Sequence, residues 1–592
     1  MGVPGGRPHR LFRTPAFPVR VRDSPERLRP AAVSGGGIGR SVAESGPDSA
    51  RKGQQLRRIV AIAAAAGVVV GGAASAPAVS AAPADTPPAQ VAYDPAPIGW
   101  GACANRGLAR LGAECGFLEV PLDYAEPTGT KIRIAVSRIK AKVAPEQYQG
   151  VVITNPGGPG GSGLVLSVLG GIVPNGAGLS YDWIGFDPRG VGSSEPALTC
   201  DGNYFSYNRP FYVPVTPELE QTWLDRSRGY AAACGAAGGD LLDHVKTTDT
   251  VHDVDALRKA LGQEQINYYG FSYGTYLGQV YATLYPERVR RMVLDGNVDA
   301  RKVWYRANLV QDVAFDRNMS VYFDWIAKND AVYHLGTTGE DVRKLFYAQQ
   351  AALLEAPAGG VIGPDEWIDA FLPAGYYVFG WEDIAEAFSA WVNQGDHGPL
   401  KKLYDAAHGQ GPGSDNVFAM YLAVQCTDVQ WPTSWNRWRA DNWMTFLRAP
   451  FETWGNAWFN APCLTWPAKP GKPVEVDGRK APGILLISET LDAATPFEGS
   501  LETRARFPKS ALIEGVGGTT HAGSLNGASC VDNQVAAYLA TGELPARKPG
   551  RVSDATCDPL PQPDPQAPAH RRSADADTTR DILRELIRGV RP

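Results

Sequence analysis

Between residues 266 and 282 the chain passes from an apolar run into helical spacing through Gly270-Phe271-Ser272-Tyr273-Gly274. A G-x-S-x-G pattern alone is common. Set between a strand-like Gln265-Ile266-Asn267-Tyr268-Tyr269 and a helix-like Tyr276-Leu277-Gly278-Gln279-Val280-Tyr281-Ala282, it reads as a nucleophile elbow, a tight strand-to-helix turn that lifts a serine hydroxyl out of the backbone. The flanking glycines fit a turn whose helix must pass close to neighbouring strands. Such an elbow requires a parallel α/β sheet around it, and the rest of the chain supplies one. Strand-like runs at 132–136, 150–154, 181–186, 266–269, 291–294, 483–488 and 510–513 alternate with helical patterns.

A serine hydroxyl becomes a nucleophile when a base takes its proton, and a carboxylate usually orients that base. In α/β sheets with this elbow the order along the chain is Ser, Asp or Glu, then His. Of eight histidines, only His521 and His570 follow the resumed strands, and His570 sits in a Pro/Ala/Arg tail. His521 lies in Gly517-Gly518-Thr519-Thr520-His521-Ala522-Gly523, a loop after a strand, and is the candidate base. Asp492, just past the apolar run Ile484-Leu485-Leu486-Ile487-Ser488, is the candidate acid, with Glu489 its rival. Ligands and catalytic groups collect at strand carboxyl ends in open α/β sheets. Asn155-Pro156-Gly157-Gly158-Pro159-Gly160-Gly161-Ser162-Gly163 follows another strand. Its bare backbone suits an oxyanion hole, with Gly158 N–H as one donor and Tyr273 N–H as the other. It lacks G-K-[ST] and the G-x-G-x-x-G spacing, so it is not read as a phosphate loop. No metal or organic cofactor is expected.

The chain has 592 residues and a formal net charge of −5. No basic block suited to tracking phosphates occurs in its body, so nucleic acid is not an expected partner. Residues 1–53, rich in Arg, Pro, Gly and Ser, read as a disordered extension. Residues 54–84 carry Arg57 and Arg58, an apolar run too short for a comfortable span, and A-x-A-like sites: the layout of a secretory signal peptide. Export without a stable membrane span is the expectation. A hydrolase-like sheet domain is expected over 97–299 and 476–557, interrupted by a mostly helical, aromatic-rich cap over 300–475. Residues 558–592 read as a mostly disordered tail with a short helix near 579–587. Eight cysteines, none in C-x-x-C, favour disulfides in an exported protein. Sequence does not fix their connectivity. The working expectation is sequential pairing, Cys103–Cys115, Cys200–Cys234, Cys426–Cys463 and Cys530–Cys557, each closing a local loop.

Together with Gly185-Phe186-Asp187-Pro188-Arg189-Gly190-Val191-Gly192-Ser193-Ser194, Pro286-Glu287-Arg288-Val289-Arg290-Arg291-Met292-Val293-Leu294-Asp295-Gly296 and Asp492-Ala493-Ala494-Thr495-Pro496, these motifs give a chain that resembles the tripeptidyl aminopeptidase group of secreted α/β-hydrolases, relatives of proline iminopeptidase, over roughly 97–557. The resemblance implies Ser272 as nucleophile, Asp492 as acid, His521 as base, and a helical cap. Thr520 stands where such proteins often carry Gly, and Asn297 where a smaller or apolar residue is common. An aminopeptidase must also hold a free α-amino group against a carboxylate; Asp428, Glu382, Asp383 and Glu386 are the candidates. The substrate is then a peptide, cleaved to tripeptides. A carboxylesterase or lipase acting on esters with the same triad remains an alternative, as does a non-catalytic secreted binding protein. Oligomeric state is not legible.

Overall fold

The computed structural model describes residues 93–566. The expected N-terminal extension, the signal region and the helix near 579–587 lie outside the described residues. Ten strands form one mixed sheet: β1 (Gly101–Ala102), β2 (Glu114–Pro121), β3 (Lys131–Ile139), β4 (Val151–Asn155), β5 (Asp182–Phe186), β6 (Ile266–Phe271), β7 (Val289–Asp295), β8 (Leu485–Glu489), β9 (Ala511–Gly515) and β10 (Ala555–Cys557), in the order β1-β2-β3-β5-β4-β6-β7-β8-β9-β10. From β5 to β10 the pairing is parallel; β1, β2, β3 and β5 pair antiparallel. β4, β6 and β8 are buried at every position. Helices cover both faces of the parallel strands, so these segments read as continuous apolar runs rather than alternating ones.

Register brings the strand ends to one rim. Asn155 pairs with Gly270, Phe271 with Asp295, Asp295 with Ile487, and Glu489 with Gly515. The order turns at β4, which lies between β5 and β6. A crevice at such a switch point is where open α/β sheets take ligands.

Between β7 and β8 the chain is helical from Tyr305–Lys328 to Thr453–Asn460. Its packing divides in two. Phe315, Tyr322, Trp325, Trp367, Phe371, Trp381 and Phe388 form an aromatic core of their own, closed beneath by Ala493 and Ala494. The helix Asn416–Asp428 instead joins the main sheet core through Phe418 to Val424. The cap is therefore built into the sheet domain at one end and separately cored at the other.

The disulfides are Cys103–Cys115, Cys200–Cys234, Cys426–Cys463 and Cys530–Cys557. They tie the segment after β1 to β2, the segment after β5 to the helix Pro217–Gly238, the helix Asn416–Asp428 to the segment Ala461–Leu464, and the helix Ser529–Thr541 to β10. Sequence separations of 12 to 37 residues correspond to about 3–4 kcal/mol each in the loop-entropy account.

One buried ion pair locks the turn after β5. Arg189 and Asp253 are both almost fully buried. The guanidinium donates from Nε and Nη2 to both carboxylate oxygens at 2.8 and 2.7 Å, and from Nη1 to the carbonyls of Leu122 and His244. Arg189→Ala leaves Asp253 buried without its counter-charge and is expected to cost about 3–5 kcal/mol. Urea unfolding measures this, and a loss below about 1 kcal/mol contradicts the assignment.

Candidate active site

Ser272 sits between β6 and the helix Tyr273–Leu284 with φ 55° and ψ −126°. It is the one residue from Ile266 to Ala282 that is not buried. The turn is tight enough to forbid side chains beside it: a Cβ on Gly274 would lie 2.6 Å from the Asn155 carbonyl oxygen. The glycine-rich loop after β4 comes equally close. A Cβ on Gly157 would meet Ser272 Cβ at 2.8 Å and Tyr273 N at 2.9 Å, and Gly157 itself has φ +95°. Tyr273 is the first residue of its helix, so its N–H has no intrahelical acceptor.

His521 is buried in the loop after β9, its own N–H donating to the Tyr376 carbonyl of the cap at 2.8 Å. Its Nδ1 lies 2.8 Å from Asp492 Oδ2 and 3.0 Å from Oδ1. Asp492 also accepts the Thr495 N–H at 2.9 Å and the Thr495 hydroxyl at 2.8 Å. A carboxylate so fixed holds the proton on Nδ1 and leaves Nε2 as the free lone pair. Ser272, Tyr273, Gly158 and His521 line one cavity roofed by the cap, with Phe205, Tyr212, Tyr376, Tyr421 and Phe459 among its walls.

Glu489, the rival acid, faces elsewhere. It accepts the Thr520 N–H at 2.5 Å and the Leu560 N–H at 3.1 Å, pinning the residue before His521 to the C-terminal segment. Burial pushes its carboxyl up to about 8. Thr520, buried where a glycine was expected, accepts the Val378 N–H through its hydroxyl at 3.3 Å and so ties the loop to the cap. Asn297 donates to the carbonyls of Leu294 and Ile487, bracing the end of β7 against β8. Asp295, at the end of β7, accepts the Ser524 N–H at 2.8 Å, and burial pushes its carboxyl up to about 6.

The four acids expected to hold a substrate amine do not line this cavity. Asp428 is saturated inside the core by the Thr247 N–H, the Thr247 hydroxyl and the Trp304 indole, at 2.6, 2.7 and 3.1 Å. Glu382, Asp383 and Glu386 lie on the helix Trp381–Gln394, whose inner face is Trp381, Ile384, Ala385 and Phe388; Asp383 and Glu386 are exposed. The carboxylates that do line the cavity are Asp299, Asp369 and Glu452. Asp299 pairs with Arg301 and Lys302, at 2.8 and 3.1 Å. Asp369 pairs with buried Arg209 at 2.7 Å and accepts the Tyr212 hydroxyl at 3.1 Å. Glu452 opens the helix Thr453–Asn460. Asn456, one turn on, donates to Asp312 at 2.7 Å, and burial pushes Asp312 up to about 8.

Glu489 holds its proton to higher pH in the folded chain than in the unfolded one. Its contribution is therefore fully present below about pH 4.5 and is lost as pH rises through about 8. Glu489→Gln removes the titration, keeping one of the two amide acceptors. Thermal melts from pH 5 to 8.5 should show a shallower fall in Tm for this variant than for the parent protein; equal slopes contradict the assignment.

A family model described as alpha/beta hydrolase fold matches residues 150–345, and one described as TAP-like protein matches residues 449–557. The tripeptidyl aminopeptidase of Streptomyces lividans is 41% identical over 486 residues, covering 79% of this chain and 88% of that protein. Serine protease Hip1 of Mycobacterium tuberculosis is 30% identical, covering 76% and 90%. Carboxylesterase B of the same species is 31% identical, covering 73% and 85%. With these likenesses over most of its length, the chain belongs to the tripeptidyl aminopeptidase family of α/β-hydrolases.

Proposed function

We propose that this protein is an exported serine peptidase that releases tripeptides from the free N-termini of peptides. Ser272 is the nucleophile, His521 the base and Asp492 the acid that orients it. The observation that carries this is the Asp492–His521 contact at 2.8 Å in a cavity that Ser272 also lines. Ser272 Oγ attacks the scissile carbonyl carbon as its proton passes to His521 Nε2, and the Gly158 and Tyr273 N–H groups hold the oxyanion. His521 then protonates the leaving amine. Water, deprotonated by the same imidazole, attacks the acyl-enzyme and restores Ser272. Four disulfides support export, since such bonds persist in oxidising compartments. Among the described residues no helix is long and apolar enough to cross a membrane.

The substrate ammonium is assigned to the Glu452 wall. Glu452 heads the helix Thr453–Asn460 in the cavity wall, and Asn456, one turn on, donates to buried Asp312. A carboxylate on a desolvated wall suits an incoming –NH3+.

Ser272→Ala should lower kcat on a tripeptidyl anilide by at least about 10⁴-fold; near-parental turnover refutes the nucleophile. Glu452→Gln should lower kcat/KM about 10- to 100-fold on the free tripeptidyl anilide, the worth of a charge-assisted hydrogen bond, and change little on the N-acetylated form. Equal cleavage of free and blocked substrates by the parent enzyme removes the exopeptidase reading. Preference for simple esters over all peptide anilides favours an esterase.

A further inference from the structure

A second cavity opens beside the catalytic one and shares Lys302 and Trp304 with it. Its charged lining is cationic: Arg301, Lys302, Arg306 and Arg437. Arg301 and Lys302 share Asp299, Arg301 also pairs with Glu502 at 3.2 Å, and Arg437 reaches Asp441 only at 3.5 Å. Arg306 is exposed and makes no ion pair among the described residues. Two helix N-termini border the same groove. The 24-residue helix Tyr305–Lys328 begins behind Trp304, and the 12-residue helix Trp435–Phe446 begins behind Ser434. Each adds partial positive charge to that end. The wall assigned to the substrate ammonium carries Glu452. The two neighbouring cavities therefore differ in the charge they present.

We propose that this basic groove receives a carboxylate on the leaving portion of the substrate, either the free C-terminus of a short peptide or an acidic side chain just beyond the cleaved bond. The proposal rests on the peptidase reading above. A peptide lying with its ammonium at the acidic wall and its scissile carbonyl at Ser272 must send its leaving portion out of the cavity. Next to that cavity, on the far side of Lys302 and Trp304, lies a groove whose charge matches a carboxylate. Exposed guanidinium contacts are individually weak and salt-sensitive, so the groove grades substrates rather than selecting one.

The test uses hexapeptides with a common N-terminal tripeptide and leaving tripeptides that contain Glu, Ala or Lys, each with a free or amidated C-terminus. The tripeptidyl anilide, which has no leaving peptide, is the control. Parent enzyme should favour carboxylate-bearing leaving groups about 10-fold in kcat/KM, less in 0.5 M KCl. The double variant Arg306→Ala/Arg437→Ala should lose that preference and keep its anilide activity. Preference for the free C-terminus alone supports the terminal carboxylate as the source. Preference for Glu in amidated peptides supports the side chain. Equal rates across the series with an active anilide overturn the groove proposal alone. Loss of anilide activity in the double variant overturns it as well, because the effect would then not lie on the leaving side. A parent enzyme inert to the anilide and to every hexapeptide sinks the peptidase reading, and the groove with it.

Discussion

The site depends on a backbone that few residues tolerate. Ser272 holds φ 55° and ψ −126°, a conformation that costs of order 1–3 kcal/mol and persists only where its surroundings over-determine it. Those surroundings are the parallel strands on either side. Gly274 packs on the Asn155 carbonyl and Gly157 packs on Ser272 itself, so the elbow and the glycine-rich loop cannot move apart without opening a gap in the sheet rim. The Ser272 N–H donates to the Asp295 carbonyl at 3.0 Å, fixing the turn to the third strand of the rim as well. The serine stays partly open because everything next to it is held.

His521 is fixed by a different means. Its loop is long and glycine-rich, yet it is anchored by three carboxylates, one on the imidazole and two on loop amides. Asp492 takes the imidazole, Glu489 takes Thr520 N–H, and Asp295 takes Ser524 N–H. A Cβ on Gly296 would stand 3.0 Å from the imidazole Cε1, so the end of β7 also closes on the ring. Burial, reinforced by neighbouring carboxylates, raises Glu489 and Asp295. A Glu489 that keeps its proton still positions the loop.

Much of this was legible in the sequence, for a physical reason. Parallel strands buried on both faces write themselves as apolar runs, and β3 to β9 stand where those runs stand. β1 and β10 were missed because they are short strands at the sheet edges, and β2 because it mixes Glu114, Cys115 and Glu119 into its pattern. The elbow, the acid after β8 and the histidine after β9 follow from chain order and strand ends. The acids of the cavity wall do not, since which face of a cap helix lines a cavity is set by packing between distant helices. Even so, one error was avoidable. Trp381, Ile384, Ala385 and Phe388 mark a helical stripe, which turns Glu382, Asp383 and Glu386 away from it. Nothing in the sequence distinguishes Glu452 from those acids, and Asp428 gives no sign of the three donors that saturate it.

The most direct test of the account is to find which hydroxyl is activated. Folded protein is treated with a fluorophosphonate, digested, and the adduct is located by mass spectrometry. One adduct, on Ser272, that disappears in the His521→Ala variant is the predicted result, since only a serine beside a working base reacts rapidly. A stoichiometric adduct on another serine, or labelling of Ser272 that is undiminished without His521, would contradict the claim that the strained elbow and the carboxylate-held imidazole act as one unit.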